Sequence, residues 1–226
     1  MPLPPPPRRL ALAAILATLT VPALAFDATQ LATLLATGQC ERCDLAGADL
    51  TGASLPGARL ANAILNGANL TGAALPDSNI PVAQFVEANL TGVVLSGSYL
   101  RSANFVRANL TGATLVNVTF TQATFTDANL TGANLTGAGL TQATLNGVDL
   151  TGAVLSGANL NRANLRGANL EGADLSGAHL TSVVLSGANL RGATLAGAVL
   201  ERTPLDGATL CRTVMPDGTI ANPTCP

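Results

Sequence analysis

The chain has 226 residues, of which 48% are apolar, only 3% aromatic and 11% charged, with a formal net charge of −2 and no lysine. Apolar richness with so little charge excludes a disordered chain, and the acidic balance excludes a nucleic-acid binder, which needs a dense basic field facing phosphate. The length suits one large domain or two small ones, and leucine and alanine must fill the interior almost alone.

The first 25 residues read as an address. Arg8 and Arg9 form a positive n-region, Leu10 to Val21 an apolar h-region, and Ala23-Leu24-Ala25 a small-x-small cleavage site. The spacing predicts cleavage after Ala25 and an exported mature chain, with an uncleaved anchor as the other reading. Loss of the two arginines leaves nine Arg against thirteen acids, a net charge of −4. Next, Asp27 reads as a helix N-cap with Gln30 as its box partner; Leu31, Leu34 and Leu35 form one apolar face, and Gly38 suits a C-terminal stop. A short helix is therefore predicted within residues 26–43.

From Leu45 to Ile220 every residue whose number is divisible by five is large and apolar, 29 of the 36 being Leu. Two residues before each, Ala dominates. A helix needs a period near 3.6 and a simple strand a period of 2, so neither carries this pattern; a short extended piece followed by a turn does, which makes a solenoid. Glycine occupies positions 52, 72, 92, 112, 132, 152, 172 and 192 without exception and never 62, 82, 102, 122, 142, 162, 182 or 202. The step of twenty predicts four pentapeptides per coil, with one corner requiring positive φ and another not. Residues 44–212 then make about 8 coils.

The run Ala68-Asn69-Leu70-Thr71-Gly72, repeated at Ala88, Ala108 and Ala128, resembles the A(D/N)Lxx signature of the pentapeptide-repeat proteins. The resemblance implies an all-β fold, a right-handed quadrilateral β-helix with the central Leu or Phe and the preceding Ala inside. It does not imply a function, because the fold serves several unrelated purposes. Both ends of such a rod need caps, the predicted helix at the entrance and the tail, residues 213–226, at the exit. That tail, Met215-Pro216-Asp217-Gly218-Thr219 and then Cys225, is similar to the tails of exported cyanobacterial members from the periplasm or thylakoid lumen.

Cys40 and Cys43 stand at one end of the rod and Cys211 and Cys225 at the other, about 40 Å away at a strand spacing of about 4.8 Å. Crossed disulfides are therefore excluded within a monomer, leaving Cys40 with Cys43 and Cys211 with Cys225. The C-x-x-C pair also has a redox and a zinc reading, but the first lacks a thioredoxin-like context and the second lacks two nearby ligands.

Little suggests catalysis. His179 is the only histidine, and it occupies the outward slot that holds Asn or Asp elsewhere, as do Asp44, Asp49, Asp149 and Asp174. No triad can be assembled, and neither a cofactor nor a metal is expected. The surface offers ladders instead: Asn69, Asn89, Asn109 and Asn129 in one column, with Thr71, Thr91, Thr111 and Thr131 beside it. These suit a stacked edge knitted by amides, or, as an alternative, a face that organises ice or a crystal surface. A more individual region is Val86, Glu87, Val106, Arg107 and Asp127 with nearby Tyr99, where Arg107 is expected between Glu87 and Asp127 in a charge ladder that could recognise a protein. The favoured function is an exported, non-enzymatic structural or protein-interaction rod. The resemblance also brings DNA mimicry that shields topoisomerase, disfavoured here by the low charge and the leader. An unknown protein partner, no nucleic acid, no membrane contact after cleavage, and a monomer or end-to-end dimer complete the expectation.

Overall fold

The computed structural model describes residues 26–223 and 225. The leader expected at residues 1–25 lies outside them.

The architecture follows from where each backbone N–H goes. In the pentapeptide from Ala48 to Gly52, the Ala48 N–H closes a turn on the Leu45 carbonyl, the Leu50 N–H reaches the Asn69 carbonyl and the Gly52 N–H reaches the Thr71 carbonyl. The fourth, on Asp49, belongs to the coil boundary. In the next coil the corresponding Asn69 N–H returns to the Ala48 carbonyl at 2.9 Å. Residue 49 thus bridges residue 69 in parallel, as 54 bridges 74, 59 bridges 79 and 64 bridges 84. Each coil is twenty residues with four turns and, as far as Val184, four bridges, stacked as a parallel β-helix. A sheet built this way leaves few unpaired backbone groups except at its ends.

The corners depart from the sequence reading. All residues at every fifth position from Arg42 to Arg212 have positive φ, between 53° and 78°, whatever their identity. Gly72 sits at 65°, and Val82, Gln122 and Arg162 sit at 61°. The expectation that the glycine-free column avoids this conformation is therefore wrong. The third residue of each turn must be left-handed for the chain to bend and rejoin the ladder, as in type II turns. Side chains there cost roughly 1–2 kcal/mol each relative to glycine, which the stacked neighbours enforce.

Inside, the Leu and Ala columns are buried along almost their whole length, with Ala53, Leu200 and Leu205 near the two ends only partly covered. Phe85, Phe105 and Phe125 stack face to face with centroids 4.8 Å apart, the rise of one coil, and Phe120 from the neighbouring column meets Phe105 and Phe125 edge-on at 5.7 and 5.0 Å. Ser78, Ser98, Thr203 and Thr213 replace Ala at inward positions and stay buried because their hydroxyls donate to carbonyls: Ser98 to Leu75 at 2.8 Å, Thr213 to Leu190 at 2.8 Å, Thr203 to Leu180.

At the entrance, helix α1 (Ala28–Thr37) starts on Asp27, whose carboxylate accepts the Thr29 and Gln30 N–H groups, and ends on Gly38 in the left-handed region. Two sequence expectations fail here. Gln30 does not return to the Asp27 N–H; its Oε1 accepts from the Asp44 N–H at 2.6 Å, while the Asp27 N–H donates to the Asp44 carbonyl, so both ends of the expected box fasten the helix to the first coil. Leu35 is 41% exposed, because only Leu34 and part of Leu31 face the coil. Cys40 and Cys43 are joined just after the helix, with Cα atoms 5.4 Å apart.

At the exit, Pro204 has no N–H to continue its ladder, and the bridge that Val184 would make with it is missing. The chain then folds back as a hairpin, β1 (Thr213–Val214) antiparallel to β2 (Ile220–Ala221), closed by the Met215 N–H on the Thr219 carbonyl. A disulfide from Cys211 to Cys225, Cα atoms 4.8 Å apart, holds its far end.

Candidate functional site

Two surface features carry the candidate residues. The first is the Asn/Thr ladder. One backbone N–H per pentapeptide, that of the residue after the central Leu, does not enter the coil-to-coil ladder. Where the slot two residues earlier holds Asn or Asp, that side chain is the usual acceptor: the Thr71 N–H donates to Asn69 Oδ1 at 3.2 Å and the Thr111 N–H to Asn109 Oδ1 at 3.1 Å, whereas the Val86 N–H donates to Asn66 Oδ1 of the preceding coil at 2.9 Å. The arrangement within one coil is the Asx turn that explains why the slot prefers Asn and Asp. The threonine hydroxyl then serves twice. Thr71 Oγ1 donates to Asn69 Oδ1 at 2.7 Å within its coil and accepts from Asn89 Nδ2 at 2.9 Å from the next; Thr91 does the same with Asn89 and Asn109. Asn129 accepts from the Thr131 N–H at 2.9 Å. The amides of this column therefore reach mostly to hydroxyls. Direct amide-to-amide contact occurs near the exit, where Asn189 Nδ2 donates to Asn169 Oδ1 at 3.0 Å. Most of the hydroxyls that a surface-binding face would aim at water, those of Thr51, Thr71, Thr91, Thr111 and Thr151, are committed within the protein, whereas Thr131 contributes only its N–H.

The same acceptor geometry acts on the carboxylates. The hydroxyl and then the N–H of Thr51 hold Asp49 below the ordinary carboxylate range. Burial pushes Asp174 up, but donation from the Ser156 and Ser176 hydroxyls and the Ser176 N–H outweighs it, and the net shift is downward.

The second feature is the corner carrying Val86-Glu87, Val106-Arg107 and Thr126-Asp127, directly over the phenylalanine stack. Arg107 Nε donates to Glu87 Oε1 at 3.0 Å, an exposed pair. The other half of the expected charge ladder is not built. Asp127 turns the opposite way, its Oδ1 lying over Gly147 where a Cβ would stand 2.4 Å away. Tyr99 does not join this corner either: it sits on the preceding side of the coil, bridged to Asn79 and Thr119, with the turn at Arg101 and Ser102 and the strand residue Asn104 in between. Sequence proximity suggested the grouping, but each turn changes the direction in which a side chain points. His179 lies outward and exposed, bridged to Asn159 and Val199.

Residues 43–80, 83–122, 103–142, 133–172, 143–187 and 173–212 match the pentapeptide repeats model, in eight copies. Among solved structures the chain is similar to HetL, a pentapeptide repeat protein involved in heterocyst differentiation regulation from the cyanobacterium Nostoc sp. strain PCC 7120, with 33% identity over 84% of this chain and 98% of that one and a TM-score of 0.49. It is also similar to QnrB1, a plasmid-mediated fluoroquinolone resistance protein, with 19% identity over 79% of this chain and 90% of that one and a TM-score of 0.70. A pentapeptide repeat protein from the Arabidopsis thaliana thylakoid lumen is 34% identical over 43% of this chain and 64% of that one, with a TM-score of 0.33. No curated protein matches.

Proposed function

The chain belongs to the pentapeptide-repeat family, and on that premise we propose that it is an exported, non-enzymatic rod, a right-handed four-sided β-helix that acts as a structural or protein-interaction module. The observation that carries this reading is the internal commitment of the repeat's polar groups. Asn and Thr side chains close their own turns and ladders, so specific recognition falls to positions that depart from the repeat. The corner of Val86, Glu87, Val106 and Arg107 is such a departure, and the stacked rings beneath it give it a stiff base. Asp127 lies on the same corner without pairing with Arg107, and Tyr99 stands off it.

The leader pattern and two disulfides support export to an oxidising compartment, periplasm or thylakoid lumen. N-terminal sequencing of the protein from its source cell is expected to begin at Phe26. The charge, nine Arg against thirteen acids beyond the leader, is too balanced to favour a DNA mimic. The committed threonine hydroxyls favour a structural ladder over ice binding, so no thermal hysteresis is expected at high concentration.

The test is affinity capture from the compartment that holds the mature chain, using the wild type and V86S/V106S/R107E as baits. A partner retained by the wild type and lost by the variant supports the reading; partners held equally by both refute the corner as the recognition site.

A further inference from the structure

Three observations coincide on a different edge of the rod, the corner that runs from Arg42 to Arg202 in steps of twenty. First, this is the corner without a single glycine, although every member has positive φ. Val82, a β-branched residue at 61°, is the costliest choice there. Side chains are kept along this line where the backbone would favour none, whereas the corner from Gly52 to Gly192 keeps none.

Second, charge is segregated. Counting the corner and the outward residue on either side, the edge from Arg42 to Arg202 carries Arg42, Arg59, Arg101, Arg162 and Arg202 against three acids at its two ends, Glu41, Asp44 and Glu201, and Arg59 pairs with Glu41 at 3.3 Å. Beyond the leader, the rest of the chain carries four arginines and ten acids. Third, the exposed large apolar residues of the coils, Ile64, Val82, Tyr99 and Val184, all lie on or beside this edge, at 38% to 45% exposure. Ile64, Val82 and Tyr99 form a diagonal across it on successive levels, with Arg59 and Arg101 at its ends.

We infer that this edge is a peripheral docking surface for an anionic lipid leaflet. The shape selects the partner. Seven coil steps at the 4.8 Å rise of the stacked rings make a ridge about 34 Å long. A long ridge can lie along a plane, so the arginines spaced along it can reach headgroups together, whereas a rounded protein surface meets only part of it. Sparse arginines suit diffuse attraction to a charged plane rather than a stereospecific clamp. Tyr99 supplies the amphipathic ring that favours the headgroup layer, with Val82 and Ile64 entering beside it. The contact is superficial: no helix among the described residues is long and apolar enough to cross a membrane. The Val86 to Arg107 corner lies on the far side of the adjoining face, so it stays open to a protein while the rod rests on the leaflet. The sequence alone predicts no membrane contact after cleavage; the edge exists only once residues twenty apart are stacked.

The experiment is vesicle co-sedimentation of the protein as recovered from its source cell, at low ionic strength, with phosphatidylglycerol at roughly one part in three in phosphatidylcholine, against phosphatidylcholine alone. Two charge-matched variants are compared, R59Q/R101Q/R162Q on the edge and R107Q/R166Q/R191Q elsewhere; Gln already occupies this edge at 84, 122 and 142. At about fivefold per arginine, the edge variant is expected to bind on the order of a hundredfold more weakly, and the other variant within a few-fold of wild type. Y99S should weaken binding several-fold, and added salt should release the protein. The inference is overturned if anionic vesicles retain no protein, or if both triple variants lose or keep binding equally, which would assign it to net charge or to residues 1–25. It is also overturned if inorganic phosphate displaces the protein where chloride at equal ionic strength does not, or if polyglutamate binds the edge while vesicles do not.

Discussion

Phe105 tests whether the aromatic stack is more than filling. It has three ring partners, Phe85 and Phe125 at 4.8 Å and Phe120 at 5.7 Å, whereas Phe85 has one. Both rings are buried in the same column, and the column holds Leu at 65 and 145. F85L and F105L therefore make the same chemical change into a lumen built for either residue. The loss of buried area is shared, and the difference between them is two ring contacts. At about 0.5–1.5 kcal/mol per aromatic pair, F105L should cost roughly 1–3 kcal/mol more than F85L, with F125L, which loses two contacts, in between. A solenoid also transmits stability from neighbour to neighbour, so a weak central coil should let the halves unfold separately. Urea unfolding followed by far-ultraviolet circular dichroism reads the total, and Tyr99, one corner before Phe105 on the same coil, gives a local fluorescence signal. F105L is thus expected to lower the midpoint most and to separate the two signals. If F85L costs as much as F105L, the ring contacts add nothing and the argument fails.

The remaining predictions address the corners, the ladder, the acids and the exit. V82G should leave stability unchanged or raise it by up to about 1 kcal/mol, since relief of a left-handed β-branched residue exceeds the entropy that glycine adds to the unfolded chain, while G92V should cost about 1–2 kcal/mol; calorimetry of the pair reads both signs. T91V removes a hydroxyl that donates to Asn89 and accepts from Asn109, and should cost about 1 kcal/mol, more than T121V, whose hydroxyl has no such ladder; equal midpoints would refute the double role. Asp49 and Asp174 are held low in the folded state, so the stability they contribute is present above about pH 4, where the unfolded chain ionises, and is lost as pH falls through the lower folded values; a D49N/D174N variant should lose that part of the slope in acid unfolding. C211S/C225S opens a closed loop worth roughly 3 kcal/mol to the unfolded chain, and hydrogen exchange should rise in the hairpin of residues 213–221 while the central coils stay protected.

The period of five, the four pentapeptides per coil and the inward Leu and Ala columns were legible in the residues, because an apolar side chain must be buried wherever the repeat returns it. The stacking of Phe85, Phe105 and Phe125 also follows from a step of twenty. Phe120 joins them only in three dimensions, since it belongs to the adjacent column and reaches across the lumen. Backbone conformation at the corners was not legible. Glycine marks where positive φ is cheap, but Val82 and Arg162 adopt it because the coils above and below dictate the turn, and that constraint is tertiary. Gln30 shows the same limit: local spacing pairs it with Asp27, yet a bare N–H on Asp44 in the first coil is the better partner. Along the coils, sequence by itself determined which residues are inside, since the repeat returns the same positions to the lumen, whereas on the entrance helix it did not, leaving Leu35 exposed. Only the tertiary structure decided which outward residues meet, separating Tyr99 from Arg107 and aligning it with Val82 and Ile64, because neighbours on a solenoid surface are set by the turn and the coil step, which bring residues twenty apart side by side and send residues eight apart to different faces.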